Sequence, residues 1–461
     1  MSIRLLPGVH APHRKNTKDM APVRMPPPAL VRIPMSMNIG RPATPTVKLM
    51  EKVQVGQKIA EAGGFVGAPI HSSVSGTVKK FDEMLLFHGG TCKVIVIEPD
   101  GEQTPWEGIA PPEVTDFDSF INAVRESGVV GLGGATFPTS VKLKVDPEKV
   151  EYICVNGAEC EPYITADTRT MLDDGERLSE GIDLLRRFSP KAKVLVGIED
   201  NKPKSIQHLT ELNKGKDYVQ VCALPALYPQ GGEKVLIHNL TGRIVPAGKL
   251  PIDVGCVVIN TSTLKTIAEY VATGKPLVEK YVTVDGSAIK HPMNVIAPIG
   301  ASVHDVVEFT GGYAVEPGKI IMGGPMMGMS VPSDEEVVSK GTGSILALNA
   351  EDAVLPEPTD CIKCGRCVNH CPLHLSPADI ETAFRLKKPE DLKALRVDLC
   401  MECGCCAFIC PARRPLVQVN KLAKQDLNKY NAKVRAEAEA KAKKEAEKAA
   451  KTEQKEGAAN G

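Results

Sequence analysis

Aromatic residues are scarce in this 461-residue chain: it has one tryptophan, and Phe, Trp and Tyr together make 4% of it. A large aromatic core is excluded, while 40 glycines and 36 prolines suit loops and close backbone approach to a ligand. Net charge is lacking too, since 56 Lys and Arg balance 56 Asp and Glu. That balance gives no footing for nucleic-acid binding and leaves only local patches to steer the chain to a membrane surface. No stretch approaches the roughly eighteen apolar residues of a membrane span. The start, Met1 to Gly8, lacks an apolar signal-peptide core, so a soluble chain is expected. There is no Walker loop, no G-x-G-x-x-G and no evident nucleophile with its base. The length suits about three domains, or more if some are small.

Cysteine is not scarce. Nine of the 14 lie between Cys361 and Cys410, and eight of these form one pattern written twice: Cys361-x-x-Cys364-x-x-Cys367-x-x-x-Cys371-Pro372 and Cys400-x-x-Cys403-x-x-Cys406-x-x-x-Cys410-Pro411. Three thiolates two residues apart can turn around one cubane while the fourth points to another. The expected ligand sets are therefore crossed: Cys361, Cys364, Cys367 and Cys410 for one [4Fe–4S] cluster, and Cys400, Cys403, Cys406 and Cys371 for the second. Structural zinc or disulfides are the plainer alternatives, but zinc ribbons use two pairs per site and not evenly spaced quartets closed by Pro. Cys405 fits as a spectator beside the second cluster. The scattered Cys92, Cys154, Cys160, Cys222 and Cys256 suit a reducing cytoplasm.

Residues 1–45 are basic and Pro-rich, and are expected to be an arm packed across later domains, with partner binding as the alternative. From 46 to 104, short β-type runs punctuated by Gly and Pro predict a small barrel or sandwich. It is similar to the lipoyl and biotinyl carriers but has no Met-Lys-Met, so a structural module is expected. A helix capped by Asp116 or Asp118 is predicted up to Glu126. Gly131 to Lys142 is a glycine-rich loop whose N–H groups suit a phosphate, with Lys142 to neutralise it, although such glycines more often only make turns. A strand from Tyr152 to Val155 then runs into Asn156, Glu159 and Glu161, polar groups placed where α/β sheets bind ligands. The plainer reading of the two glutamates is helix-start or surface charge. Helix-like Arg169–Phe188, strand-like Lys193–Gly197 and the strand Val219–Leu224 alternate, which argues α/β. Tyr228 to Lys234 and Val257 to Thr263 add two further polar loops. Strand, Asp-Gly turn, strand and capped helix follow from Pro276 to Gly312. The methionine-rich loop Gly323–Met329 reads as core or interface filler.

Together these residues resemble the flavin-binding domain shared by the NADH-oxidising subunit of respiratory complex I and the RnfC subunit of the Rnf ion-translocating ferredoxin:NAD oxidoreductase complex. The RnfC family is the closer match. Leu6 to Lys15 (LPGVHAPHRK), Gly131 to Thr139 (GLGGATFPT), Asn156 to Tyr163 (NGAECEPY), Tyr228 to Lys234 (YPQGGEK) and both quartets carry it, in that order. The resemblance implies FMN phosphate contacts from Gly131, Gly133, Gly134 and Lys142. It implies flavin or ribityl contacts from Asn156, Glu159, Glu161, Tyr228, Gly232, Glu233 and Asn260, with Phe137 stacking on flavin or nicotinamide. Leu132 stands where the NADH-oxidising protein of complex I has arginine, and Asn-Thr-Ser-Thr at Asn260 replaces the more usual Asn-Val-Gly-Thr.

The expected architecture is multidomain α/β. It comprises the arm (1–45), a barrel-sandwich β module (46–104), an α/β FMN- and NAD-binding domain (115–272), a β-grasp domain of the SLBB type (273–345), a helical ferredoxin-like domain with two [4Fe–4S] clusters (355–425), and a charged tail (426–461) that is a solvated helix or disordered. Flavin takes hydride pairs from NADH and each cubane carries one electron, so their combination interconverts the two. The resemblance implies a peripheral oxidoreductase subunit on the cytoplasmic face of the cell membrane, docked on membrane subunits that move ions. A flavin and iron–sulfur cobalamin reductase of a propanediol-utilisation system is the alternative, and a two-cluster relay without flavin is a third reading.

Overall fold

The computed structural model describes residues 5–85 and 89–459, with side chains of the last helix described as far as residue 443. Residues 1–4 of the arm, 86–88 of the β module and 460–461 of the tail lie outside the described residues. The chain divides into two units, residues 1–355 and 356–461.

Apolar runs dictate the centre of the first unit. Tyr152–Gly157, Lys193–Glu199 and Cys256–Asn260 are nearly continuous in buried residues, as strands covered on both faces must be. With Val219–Leu224 they form an all-parallel sheet, in the spatial order Val219–Leu224, Lys193–Glu199, Tyr152–Gly157, Cys256–Asn260. The chain steps outward from Tyr152–Gly157 on one side and then returns to its other side for Cys256–Asn260. Tyr152–Gly157 is thus the switch strand, and the crevice beyond its C-terminal end is where such sheets take ligands.

Helices Glu233–Thr241 and Thr261–Thr273 pack on this sheet. The helix expected near Asp116 is Phe117–Glu126. It opens on a capping box in which the Asp116 carboxylate accepts the Ser119 N–H at 2.8 Å and the Ser119 hydroxyl accepts the Asp116 N–H at 3.0 Å. The helical stretch expected from Arg169 to Phe188 is two helices, Ala166–Asp173 and Gly175–Phe188, meeting at Asp174. Gly175 sits at that junction because a Cβ there would lie 2.5 Å from the His208 ring.

The β module is two small sheets, one ordered Val31–Pro34, Thr91–Pro99, Gly76–Leu85, Lys52–Val53, the other Thr44–Pro45, Lys58–Glu61, Ile70–His71. Part of the arm belongs to it: Val31–Pro34 pairs with Val94–Ile97, since Val31 and Ile33 alternate inward and are wholly buried. Further back, Val23–Arg24 pairs with Val295–Ile296 and extends the β-grasp sheet. One apolar core runs from the β module into the α/β sheet, through Ile33, Ile59, Phe120, Val155 and Ile182. The β-grasp sheet has its own, built on Val282, Val284, Val295 and Val306. There the strands Glu279–Asp285 and Met293–Pro298 lead into the helix Val303–Phe309, capped by Ser302. Asp285–Gly286 begins a connection that runs to Pro292 and does not close a two-residue turn.

The second unit packs short helices, among them Pro377–Arg385 and Pro389–Ala394, against the start of the long helix Leu416–Ala459. Leu375, Ile380, Leu392 and Val397 meet Ala423 and Leu427 in its core. From Ala432 to Lys443 the long helix is exposed. The backbone repeats as the sequence does. Cys361 and Cys400 are 39 residues apart (400 − 361), and at the same offset Lys363 and Glu402 take φ +53° and +60°, Gly365 and Gly404 +72° and +83°, His374 and Arg413 +54° each. Short helices Arg366–Asn369 and Cys405–Phe408 share that offset. Among the described residues no helix is long and apolar enough to cross a membrane.

Candidate functional site

At the crevice of the first unit the glycine-rich loop is held from both ends. The Gly131 N–H donates to the Phe137 carbonyl at 2.9 Å, the Thr136 N–H to the Gly131 carbonyl at 3.1 Å, and the Leu132 N–H to Thr263 Oγ1 at 2.9 Å. Among the described residues the N–H groups of the exposed Gly133 and Gly134 have no acceptor. Gly134 has φ +106° with open space where a Cβ would stand, and a Cβ on Gly133 would lie 3.2 Å from Asn260 Nδ2. Free amides on an immobilised loop are the chemistry a phosphate needs.

Asn260 ends the outer strand and caps the helix that follows. Its Oδ1 accepts the Thr263 N–H at 3.1 Å, and its Nδ2 donates to Asp167 Oδ2 at 2.7 Å. Ser262 Oγ donates to the other oxygen of Asp167 at 2.6 Å. Asn156, at the end of the switch strand, accepts the Ala158 N–H and donates to the Gly231 carbonyl at 2.9 Å, joining its loop to Tyr228–Lys234. Gly232 caps the helix that begins with Glu233, and Glu233 pairs with Lys142 at 2.5 Å. Phe137 is half-buried at the end of the glycine loop.

The two glutamates face different ways. Glu159 has φ +46°, and its carboxylate accepts the N–H of Asp167 at 2.6 Å and of Thr168 at 3.2 Å, together with the Thr168 hydroxyl, at the start of helix Ala166–Asp173. Glu161 accepts the Tyr228 hydroxyl at 3.3 Å and the Met326 N–H at 3.0 Å, reaching the methionine-rich loop. A Cβ on Gly324 would lie 2.1 Å from Glu161 Oε2, so that loop closes on the carboxylate only because it begins with glycine. Burial pushes both carboxyls above their usual range. Lys15 of the arm lies beneath them. Its Nζ donates to the carbonyls of Glu159, Glu161 and Ile164 and stands 3.9 Å from the Glu159 carboxylate, and burial pulls its pKa down.

In the second unit one cavity is lined by Cys371 from the first quartet and by Cys400, Cys403 and Cys406 from the second, with Cys405 and Asn420 beside them. The Leu375 N–H points at Cys371 Sγ from 3.4 Å and Asn420 Nδ2 at Cys400 Sγ from 3.5 Å. Amide donors on sulfur and an apolar wall fit thiolate ligands of a cluster. Burial pushes the Cys406 thiol up, and the nearby Cys400, Cys403 and Cys371 add to it. Cys367 and Cys410 pack together against Leu416 and Val417, Cys361 acts electrostatically on Cys367, and Cys361 and Cys364 are exposed. Among the described residues no three His, Cys, Asp or Glu side chains converge as ligands of a single metal ion would.

Four residues stand at these sites to which the sequence reading gave no role: Lys15, Asp167, Lys280 and Asn420. Lys15 closes the Leu6–Lys15 motif and Asp167 follows the Asn156–Tyr163 one, which is a usable signal. Lys280 and Asn420 come from other elements, and nothing local marks them.

Free amides at a parallel-sheet switch point, joined in one chain to two cysteine quartets, fit an electron-transfer protein that pairs a phosphate-bearing cofactor with iron–sulfur clusters. Residues 124–269 match the Nuo51 FMN-binding domain, 3–102 the RnfC barrel sandwich hybrid domain and 281–330 the SLBB domain. The RnfC subunit of the Na+-translocating ferredoxin:NAD+ oxidoreductase complex of Acetobacterium woodii is 43% identical, over 81% of this chain and 85% of that protein. Its counterpart in the proton-translocating ferredoxin:NAD+ oxidoreductase complex of Clostridium ljungdahlii is 42% identical, over 80% and 82%. The counterpart in the ion-translocating oxidoreductase complex of Rhodobacter capsulatus is 37% identical, over 92% and 83%. The chain belongs to this family, the RnfC subunits of ion-translocating ferredoxin:NAD oxidoreductase complexes. An NAD+-reducing [NiFe]-hydrogenase in its H2-reduced state aligns with 67% of this chain and 60% of its own at 18% identity and a TM-score of 0.46.

Proposed function

We propose that the chain is the peripheral subunit through which such a complex exchanges electrons with NAD(H), seated on the cytoplasmic face of the membrane against the ion-moving subunits. It would hold FMN at the crevice and two [4Fe–4S] clusters on the crossed quartets. The observation that carries this reading is the cavity in which Cys371 joins Cys400, Cys403 and Cys406, because crossed thiols are what a two-cluster unit requires and a zinc ribbon does not. When bound, flavin supplies the exchange between hydride pairs and single electrons, and the clusters supply one-electron storage.

The chain's own residues bind and orient. Gly133 and Gly134 present amides to the phosphate, and Lys142, half-exposed beside Glu233, adds positive charge. Asn156 and Asn260 fix the loops that border the crevice, and Tyr228 steadies Glu161. Glu159 ties the polar loop to helix Ala166–Asp173, so it acts by holding the loop's shape. In the second unit the Leu375 amide and Asn420 hold sulfur in place, and the apolar wall limits water.

The test is iron, sulfide and flavin stoichiometry on protein purified without oxygen, followed by NADH addition. Eight iron atoms, eight sulfides and one FMN per chain are expected from two cubanes and one flavin, with bleaching of the visible spectrum by NADH. A colourless protein carrying zinc would overturn the reading.

A further inference from the structure

Beneath the glycine-rich loop lies a lysine that belongs to a different domain. Lys280 stands near the start of the β-grasp strand Glu279–Asp285 and is 5% exposed. Its Nζ donates to the Leu132 carbonyl at 3.3 Å. Leu132 is therefore pinned at both backbone groups, N–H to Thr263 and carbonyl to Lys280, and the next two residues are those whose amides are free. The charged group acting on Lys280 is Asp167, whose two oxygens are already engaged by Asn260 and Ser262. Burying an ammonium on one carbonyl is costly unless a negative partner repays it. Asp167 already accepts from two donors and reaches Lys280 only through space, so a dianionic phosphate at the loop would be the missing share.

We propose that Lys280 is a positioning residue for the phosphate end of the flavin site: it fixes the Leu132 carbonyl, and with it the direction of the Gly133 and Gly134 amides, while its buried charge favours the phosphorylated flavin. The β-grasp domain thereby takes part in choosing the cofactor and does more than pack. This rests on the FMN reading given above.

The experiment compares FMN with riboflavin, which lacks the phosphate, by fluorescence titration of the flavin-free full-length chain and of its Lys280→Met, Lys280→Gln and Lys280→Arg variants. Thermal melting of each variant serves as the folding control. Lys280→Met and Lys280→Gln are expected to weaken FMN about tenfold, the scale of one partly screened charge. Riboflavin affinity should stay within about twofold, and Lys280→Arg should keep most of the preference. If Lys280→Met fails to fold, Lys280→Gln and Lys280→Arg decide by the same criterion. Equal loss of both flavins would reduce Lys280 to a packing residue, and no loss of either would remove it from the site; both overturn the proposal. A native chain that binds neither flavin would instead bring down the FMN reading, and this proposal with it.

Discussion

Lys340 is wholly buried and donates to two backbone carbonyls, Pro69 at 2.6 Å and Gly128 at 2.7 Å. Burial lowers its pKa to about 7 in the folded chain, against 10.5 when exposed. Between those values the unfolded chain binds a proton that the folded chain does not, so stability should rise with pH from about 7 to 10.5, by at most about 1.4 kcal/mol per pH unit. Lys340→Met should remove that rise, and melting temperatures of the two proteins across this range check it. Asn420 gives a second prediction. Its Nδ2 lies 3.5 Å from Cys400 Sγ while its buried Oδ1 has no partner among the described residues. Donors to cluster sulfur favour the reduced state, so Asn420→Leu should lower the midpoint potential of the cluster held by Cys400, with little change in the other. Redox titration followed by paramagnetic resonance would separate the two; equal shifts would count against a local effect.

Crossed ligation is a claim about elements. If Cys371 serves the second quartet, Cys371→Ser and Cys400→Ser should damage the same cluster, and Cys410→Ser and Cys361→Ser the other. Each variant should lose up to half its iron, and spectra of the surviving cluster should sort the four into these two pairs; sorting by repeat would refute the crossing. Both quartets were legible because their spacing is local, and the parallel strands because their apolar runs are uninterrupted. The Asp116 cap was legible too, as a polar residue before an apolar face. What could not be read was long-range. Val23–Arg24 is only two residues long in a Pro-rich arm, and its pairing with Val295–Ile296 has no local signature. Lys15 looks like ordinary solvated charge until the arm is seen to carry it under three carbonyls. Glu159 and Glu161 share one motif, yet one caps a helix and the other grips a loop more than 150 residues away, at Met326.

At the scale of the molecule, the unit 1–355 has continuous apolar cores, whereas the unit 356–461 packs a few short helices around its thiols. Metal bound only to the folded state adds to its stability. Removing iron under chelation should therefore lower the melting of the second unit by ten degrees or more, on the order expected when a small domain loses several kcal/mol, and leave the first unit's transition in place. Calorimetry before and after iron removal would show it, and a parallel shift of both transitions would argue against it. The 39-residue repeat carries a last consequence. Cys371 stands among the sulfurs of the following repeat, and if the ligation is crossed neither copy is a finished cage by itself. An ancestor carrying a single copy would have needed a sister chain to lend the missing thiol. Gene duplication that fused the two would have turned that loan into an intramolecular bond, after which neither half could be discarded.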